Sequence, residues 1–247
     1  MGRLRHVCDN YLAEANNIYF SLIPDKNYFL AEEAGQLHID YDRLYAEAPA
    51  MLPNAEFIDI RGTLSADSYY YTDSHWRQEK LVDTARLLAE SMGAEFKDNF
   101  TVNELDTDFR GVYHGQAALP LPAEKIYYLT NEATESAKVT DVEHMTNPDV
   151  YDMTKKDSHD PYEVFLSGPL SLVTVENSSA KGGHLVVFRD SFGSSLAPLL
   201  VQDYKTVTIV DIRYINPAVL GNMVSFENAD VLFIYSTLLL NSSLGLK

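Results

Sequence analysis

Three runs in the last third of the chain, HLVVF (184–188), TVTIV (206–210) and VLFIY (231–235), are built almost wholly of apolar and β-branched residues, with no regular polar alternation. A strand that reads this way is covered on both faces, the condition of a parallel sheet with helices on either side. Between the runs lie segments of helical character, Ser191 to about Gln202 and Pro217 to about Phe226, giving strand, helix, strand, helix, strand. That order specifies a doubly wound α/β sheet.

The N-terminal part fits the same class. Leu4, Val7, Tyr11, Leu12, Ala15 and Ile18 fall near helical spacing, and IYFSLIP then reads as a strand stopped by Pro24. A second helix is expected over Leu37 to Ala48, a short strand over Phe57 to Ile60, and a third helix over Arg77 to Met92 with Gly93 as its stop. From Ala94 to Lys181 the pattern breaks into Asn, Asp, Thr, Gly and Pro-rich stretches with short aromatic runs such as IYYL (126–129). This reads as an irregular insertion of loops and short antiparallel strands within one domain spanning 1–247, since no Pro/Gly-rich linker divides the chain.

Charge and cysteine content exclude several classes. With 36 acidic against 19 basic residues the net charge is −17, which repels nucleic-acid phosphates, so no nucleic-acid partner is expected. A single cysteine, Cys8, forms no intrachain disulfide and no cysteine-rich zinc site. The seven histidines lack the i, i+4 spacing of H-E-x-x-H, and no phosphate-binding glycine motif follows a strand, so neither a metal nor a nucleotide cofactor is expected. No window approaches the roughly 18 apolar residues of a membrane span.

In open α/β sheets functional groups gather beyond the carboxyl ends of the strands. Four junctions sit there: Asp59-Ile60-Arg61, Arg189-Asp190-Ser191-Phe192, Asp211-Ile212-Arg213-Tyr214, and Asn241. The second is the sharpest. Ser191 lies where a buried strand turns into a helix, whose unpaired N–H groups and dipole stabilise an oxyanion, and Gly193 keeps the turn small enough for a carbonyl to approach. The competing reading is that Asp190 or Ser191 simply caps that helix.

A nucleophilic serine needs a base, and the base a carboxylate to fix its tautomer. YYYTDSHW (69–76) supplies both: Asp73 and His75, two apart, point to one side of an extended segment. Here too a bland alternative stands, with Asp73 as a helix cap and His75 as a surface residue. Around this pair the other candidates each carry two readings. Arg213 and Tyr214 either face the crevice or engage Asp211 structurally; Asn241 is an oxyanion donor or a cap; Trp76 stacks on a sugar ring or anchors the core.

YYYTDSHW followed by RDSF resembles the SGNH-hydrolase-like proteins that include the alginate O-acetyltransferase group, in which a D-x-H pair precedes the serine. More specifically the chain is similar to the DHHW family, along YFSLIPDKNY, TDSHW, DFRGVYHG, IYYLTN, YEVFLSG, RDSFGSSLAPLL and IVDIRYIN. Ser74 replaces the first histidine of that family's motif, and Arg189 stands where glycine precedes Asp-Ser in ordinary GDS esterases. The resemblance implies an SGNH-like three-layer α/β/α fold with a mostly parallel sheet, and Ser191, His75 and Asp73 as catalytic triad. It also implies acetyl transfer to, or removal from, a cell-surface polysaccharide or acylated sugar, with a membrane acyl-donor protein as a further partner. The location it implies is extracytoplasmic in a bacterium, with the signal or anchor absent from this chain. The alternative from another class is a non-catalytic carbohydrate-binding or envelope-assembly module on the same fold.

Overall fold

The three apolar runs form the centre of a seven-stranded sheet. The structure, a computed structural model, describes residues 2–13, 16–118 and 120–242. Its strands are β1 (Ile18–Ile23), β2 (Glu56–Phe57), β3 (Thr101–Glu104), β4 (Tyr127–Thr130), β5 (Lys138–Asp141), β6 (Leu172–Glu176), β7 (Gly182–Arg189), β8 (Tyr204–Val210) and β9 (Ala229–Ser236). Its helices are α1 (Gly2–Tyr11), α2 (Asn27–Leu30), α3 (Tyr41–Met51), α4 (Val82–Ser91), α5 (Val112–Ala117), α6 (Glu132–Ser136), α7 (Gly193–Leu200) and α8 (Thr237–Asn241).

The strand order is β2-β1-β9-β7-β8-β6-β5. From β2 through β8 every neighbouring pair is parallel, whereas β6 and β5 add antiparallel at one edge. Successive residues of the central strands serve opposite faces. Leu185 and Val187 of β7 and Leu232 and Ile234 of β9 pack with α4 and α7; Val186, Phe188, Val231 and Phe233 pack with α1 and α3. Each such side chain, fully buried, contributes on the order of 1.5–3 kcal/mol. Two cores of this kind require apolar residues at every strand position, which is why the runs do not alternate. The result is a three-layer α/β/α arrangement.

Segment 94–181 is irregular but tied to this frame. It supplies β5 and β6 to the main sheet and the separate antiparallel pair β3 and β4.

Several boundaries differ from the periodicity. Helix α1 stops at Tyr11, Ile18 already opens β1, and Ala15 lies outside the described residues. Asn16 causes the break: its side chain donates to the carbonyls of Phe226 and Ala229 and accepts from Ala13 N–H. Helix α3 begins at Tyr41, because Asp40 accepts from Arg43 N–H as its cap, and Leu37 is fully exposed. The expected strand at 57–60 pairs only at Glu56 and Phe57, after which Asp59 and Arg61 form an ion-paired turn. The expected helix from Pro217 to Phe226 is a 3-10 segment ending at Asn222. Gly93, at φ +79°, follows α4 as expected. Among the described residues no helix is long and apolar enough to cross a membrane.

Candidate active site

Strand β7 ends in Arg189, whose side chain is fully buried, and Asp190 follows it, also buried. The Asp190 carboxylate accepts from Phe192 N–H at 3.1 Å, Ser236 N–H at 2.9 Å and Ser236 Oγ–H at 2.6 Å. It thereby caps the turn and ties the ends of β7 and β9 together. With the capping task taken by Asp190, the hydroxyl of Ser191 is left to other partners.

That partner is His75. Its segment forms a tight loop closed by the Tyr69–Trp76 bridge and by Tyr70 N–H donating to His75 O. Asp73 Oδ1 accepts from His75 N–H at 2.9 Å, an Asx-turn that swings the imidazole back over its own carboxylate. His75 Nδ1 lies 2.6 Å from Asp73 Oδ1, and His75 Nε2 lies 2.7 Å from Ser191 Oγ. An ionised carboxylate only accepts, so Nδ1 carries the proton and Nε2 is free to accept from the serine hydroxyl. Burial alone pushes the Asp73 carboxyl up, but the hydrogen bond and charge of His75, with backbone N–H groups of His75 and Val112, hold it down at about 2. The D-x-H pair and the serine, 116 residues apart, therefore form one hydrogen-bonded line at the carboxyl end of the sheet.

Two aromatic rings pack against the imidazole. Tyr162 stacks on it at 4.2 Å and 18°, and Phe192 leans against it at 4.9 Å. The Tyr162 hydroxyl is 2.7 Å from Ser195 Oγ, which also accepts from the Trp76 indole N–H at 2.9 Å. Gln78 Nε2–H donates to Ser195 O at 2.7 Å. The loop is thus bolted to α7 immediately behind the serine.

One expectation, that for Gly193, needs correction, and three open readings close on their structural side. Trp76 is fully buried, and its N–H is spent on Phe192 O and Ser195 Oγ, so it anchors the core and presents no face to a sugar. Gly193 does not open the turn to substrate: a Cβ there would stand 2.4 Å from Arg189 Cβ, so the missing side chain makes room for the buried arginine. The first-turn N–H groups are also engaged, Phe192 with Asp190 Oδ1, Gly193 with Asp190 O and Ser194 with Ser191 O. The Ser191 N–H makes no hydrogen bond within this turn. Arg213 grips Asp211 through Nε and Nη2 at 2.9 and 2.6 Å and stacks on the exposed Tyr214, the structural reading of that junction. Both line an open cavity of about 640 Å³ with residues of α1, a cavity that none of Asp73, His75 and Ser191 lines. Asn241 closes α8, whose Leu239 and Leu240 pack on the core face opposite that of Phe192 and Trp76, and it does not reach Ser191.

Three neighbours of the loop escape a reading of spacing alone. Tyr162, Glu124 and Gly111 all come from the irregular segment; the only local signal is the DFRGVYHG and YEVFLSG segments, which hold Gly111 and Tyr162 but not Glu124. Gly111 lies so close that a Cβ would stand 2.2 Å from Asp73 Cβ, while Val112 N–H donates to Asp73 Oδ2 at 2.8 Å.

No protein-family model and no curated protein matches the chain. Solved structures do. A DHHW family protein from Eubacterium siraeum superposes with a TM-score of 0.75 at 17% identity, over 96% of this chain and 83% of that one. PatB1 of Bacillus cereus, solved with a sulfonyl adduct, gives 0.72 at 18% identity, over 99% and 87%. The O-acetyltransferase domain of Pseudomonas putida AlgJ gives 0.54 at 13% identity, over 95% and 79%. The likeness establishes an SGNH-like fold, the architecture that the YYYTDSHW and RDSF segments imply.

Proposed function

We propose that this chain is a serine acyl-transfer enzyme, an O-acetyltransferase or acetylesterase, acting on a cell-surface polysaccharide outside the cytoplasm. The observation that carries the reading is the 2.7 Å contact between His75 Nε2 and Ser191 Oγ, with Asp73 behind the imidazole. The fold's likeness to an O-acetyltransferase domain supports the choice of acyl group.

In the proposed reaction Ser191 Oγ attacks the ester carbonyl while its proton passes to His75 Nε2. Asp73 stabilises the imidazolium so formed, and the Ser191 N–H, which no bond within the turn engages, donates to the tetrahedral oxyanion. Collapse breaks the ester C–O bond, His75 gives its proton to the departing alcohol, and an acyl-serine remains. Water or a sugar hydroxyl, deprotonated by His75, then attacks the acyl carbon and releases Ser191. No cofactor enters either half-reaction. A membrane acyl-donor protein fits as the source of the acyl group. The strongly acidic surface disfavours nucleic acid as a partner.

Hydrolysis of 4-nitrophenyl acetate, with and without a saccharide acceptor, tests this reading. Ser191→Ala and His75→Ala are each expected to lower kcat by at least about a hundredfold. Acetylated saccharide in the products assigns a transferase and free acetate an esterase. Saccharide binding without any ester turnover in the wild type would leave the non-catalytic module instead.

A further inference from the structure

The loop that carries Asp73 and His75 has almost no regular structure of its own, so its backbone groups must be satisfied from outside. Two side chains of opposite charge do most of this. Lys26 follows β1 and its Nζ donates to Tyr70 O, to Asp73 O at 2.7 Å and, at 3.5 Å, to Tyr71 O. From the other side the Glu124 carboxylate accepts from Tyr71 N–H at 2.8 Å, Thr72 N–H at 2.6 Å and Thr72 Oγ1–H at 2.7 Å. Arg77 Nη2 donates to Glu124 Oε1 at 3.0 Å and orients it. The carbonyl of Thr72 is taken by Tyr113 N–H, and the Thr72 hydroxyl oxygen accepts from Gly111 N–H.

We infer that Lys26 and Glu124 are positioning residues that clamp the Asp73–His75 loop, the cation on its carbonyls and the anion on its N–H groups, so that the imidazole meets Ser191. The inference rests on the reading of Ser191 and His75 as a working pair. Its physical basis is that hydrogen bonds to charged groups are each stronger than neutral ones, and that both charges are partly buried, where water competes poorly. Burial lowers the affinity of Lys26 for its proton, an effect that the nearby Asp73 and Glu124 carboxylates oppose. The clamp joins three distant parts of the chain: the end of β1, the loop, and the irregular segment. Neither residue touches the serine, so both act through His75.

The test uses Lys26→Met, Glu124→Gln and Lys26→Arg in the whole chain, with two readouts. One is kcat and KM for 4-nitrophenyl acetate. The other is the downfield proton resonance of His75 Nδ1–H hydrogen-bonded to Asp73, which needs no turnover. Lys26→Met and Glu124→Gln are expected to lower kcat by about tenfold to a hundredfold with KM changed less than about twofold. Both are expected to weaken or broaden the Nδ1–H resonance, and Lys26→Arg to recover part of both. Folded variants that keep wild-type kcat and a sharp resonance overturn the clamp. If the wild type turns over no ester, the resonance alone decides: its loss in the variants sustains the clamp while the catalytic reading fails, and its persistence overturns the clamp. Should Lys26→Met not fold, Glu124→Gln, which keeps the side chain's size, carries the test.

Discussion

Gly111→Ala perturbs the site through one methyl group. Its Cβ would stand 2.2 Å from Asp73 Cβ, 2.4 Å from Asp73 Oδ2 and 2.6 Å from Thr72 O, where ordinary contact begins near 3.4 Å. The backbone at Gly111, φ −71° and ψ −177°, is open to alanine, so the whole cost is steric. The loop must retreat by more than 1 Å, which breaks the 2.8 Å bond from Val112 N–H to Asp73 Oδ2 and shifts the carboxylate under His75. Overpacking of this kind costs about 1–3 kcal/mol, and in a domain of this size about 3–10 °C of Tm. A misplacement of about 1 Å costs on the order of a hundredfold in rate. Thermal unfolding by circular dichroism and kcat/KM for 4-nitrophenyl acetate read the two effects separately. A Gly111→Ala protein with wild-type Tm and wild-type kcat/KM would refute the claim that the irregular segment presses directly on Asp73.

Other consequences are separable. Tyr162→Leu removes the ring stacked on His75 at 4.2 Å and is expected to lower kcat about threefold to thirtyfold, whereas Tyr162→Phe keeps the ring and stays within about threefold of wild type; steady-state kinetics on both variants check this. Trp76→Phe leaves a void and strips a donor from Phe192 O and Ser195 Oγ, for an expected loss of about 2–4 kcal/mol in urea unfolding. Asp203 is buried, and burial pushes its carboxyl up to about 7 despite the opposing charge of Lys97. The unfolded chain releases that proton near pH 4 and the folded one near 7, so stability falls as pH rises between them. Asp203→Asn is expected to remove this slope, a gain of about 2–4 kcal/mol at pH 8 relative to the wild type, measured by denaturation at pH 4 and pH 8.

What spacing and composition disclose here follows from how local each signal is. The runs at 184–188, 206–210 and 231–235 are legible because double burial acts on every residue of a strand. Asp73 and His75 are legible as a pair because an Asx-turn spans only one intervening residue, and Ser191 because a strand-to-helix elbow is a local event. Whether Asp190 or Ser191 caps the turn is open in the sequence and is decided by the bond from Phe192 N–H to Asp190 Oδ1, a carboxylate that Ser236 holds from another strand. Trp76 was ambiguous for the same reason, since its partner Ser195 lies 119 residues away. Lys26, Glu124 and Tyr162 are isolated polar or aromatic residues whose meaning appears only once three distant segments meet. Arg189 is the extreme case: a cation under a serine reads as an intruder until Asp211 and the carbonyls of Gly168 and Leu170 are seen around it.

Intact-protein mass spectrometry after incubation with phenylmethylsulfonyl fluoride puts the account's core to its most direct trial. One sulfonyl group is expected on the wild type, mapped by peptide digestion to Ser191, with none on Ser191→Ala and labelling at least about a hundredfold slower on His75→Ala. A wild type that gains no mass, an adduct that survives in Ser191→Ala, or equal labelling rates with and without His75 would contradict it.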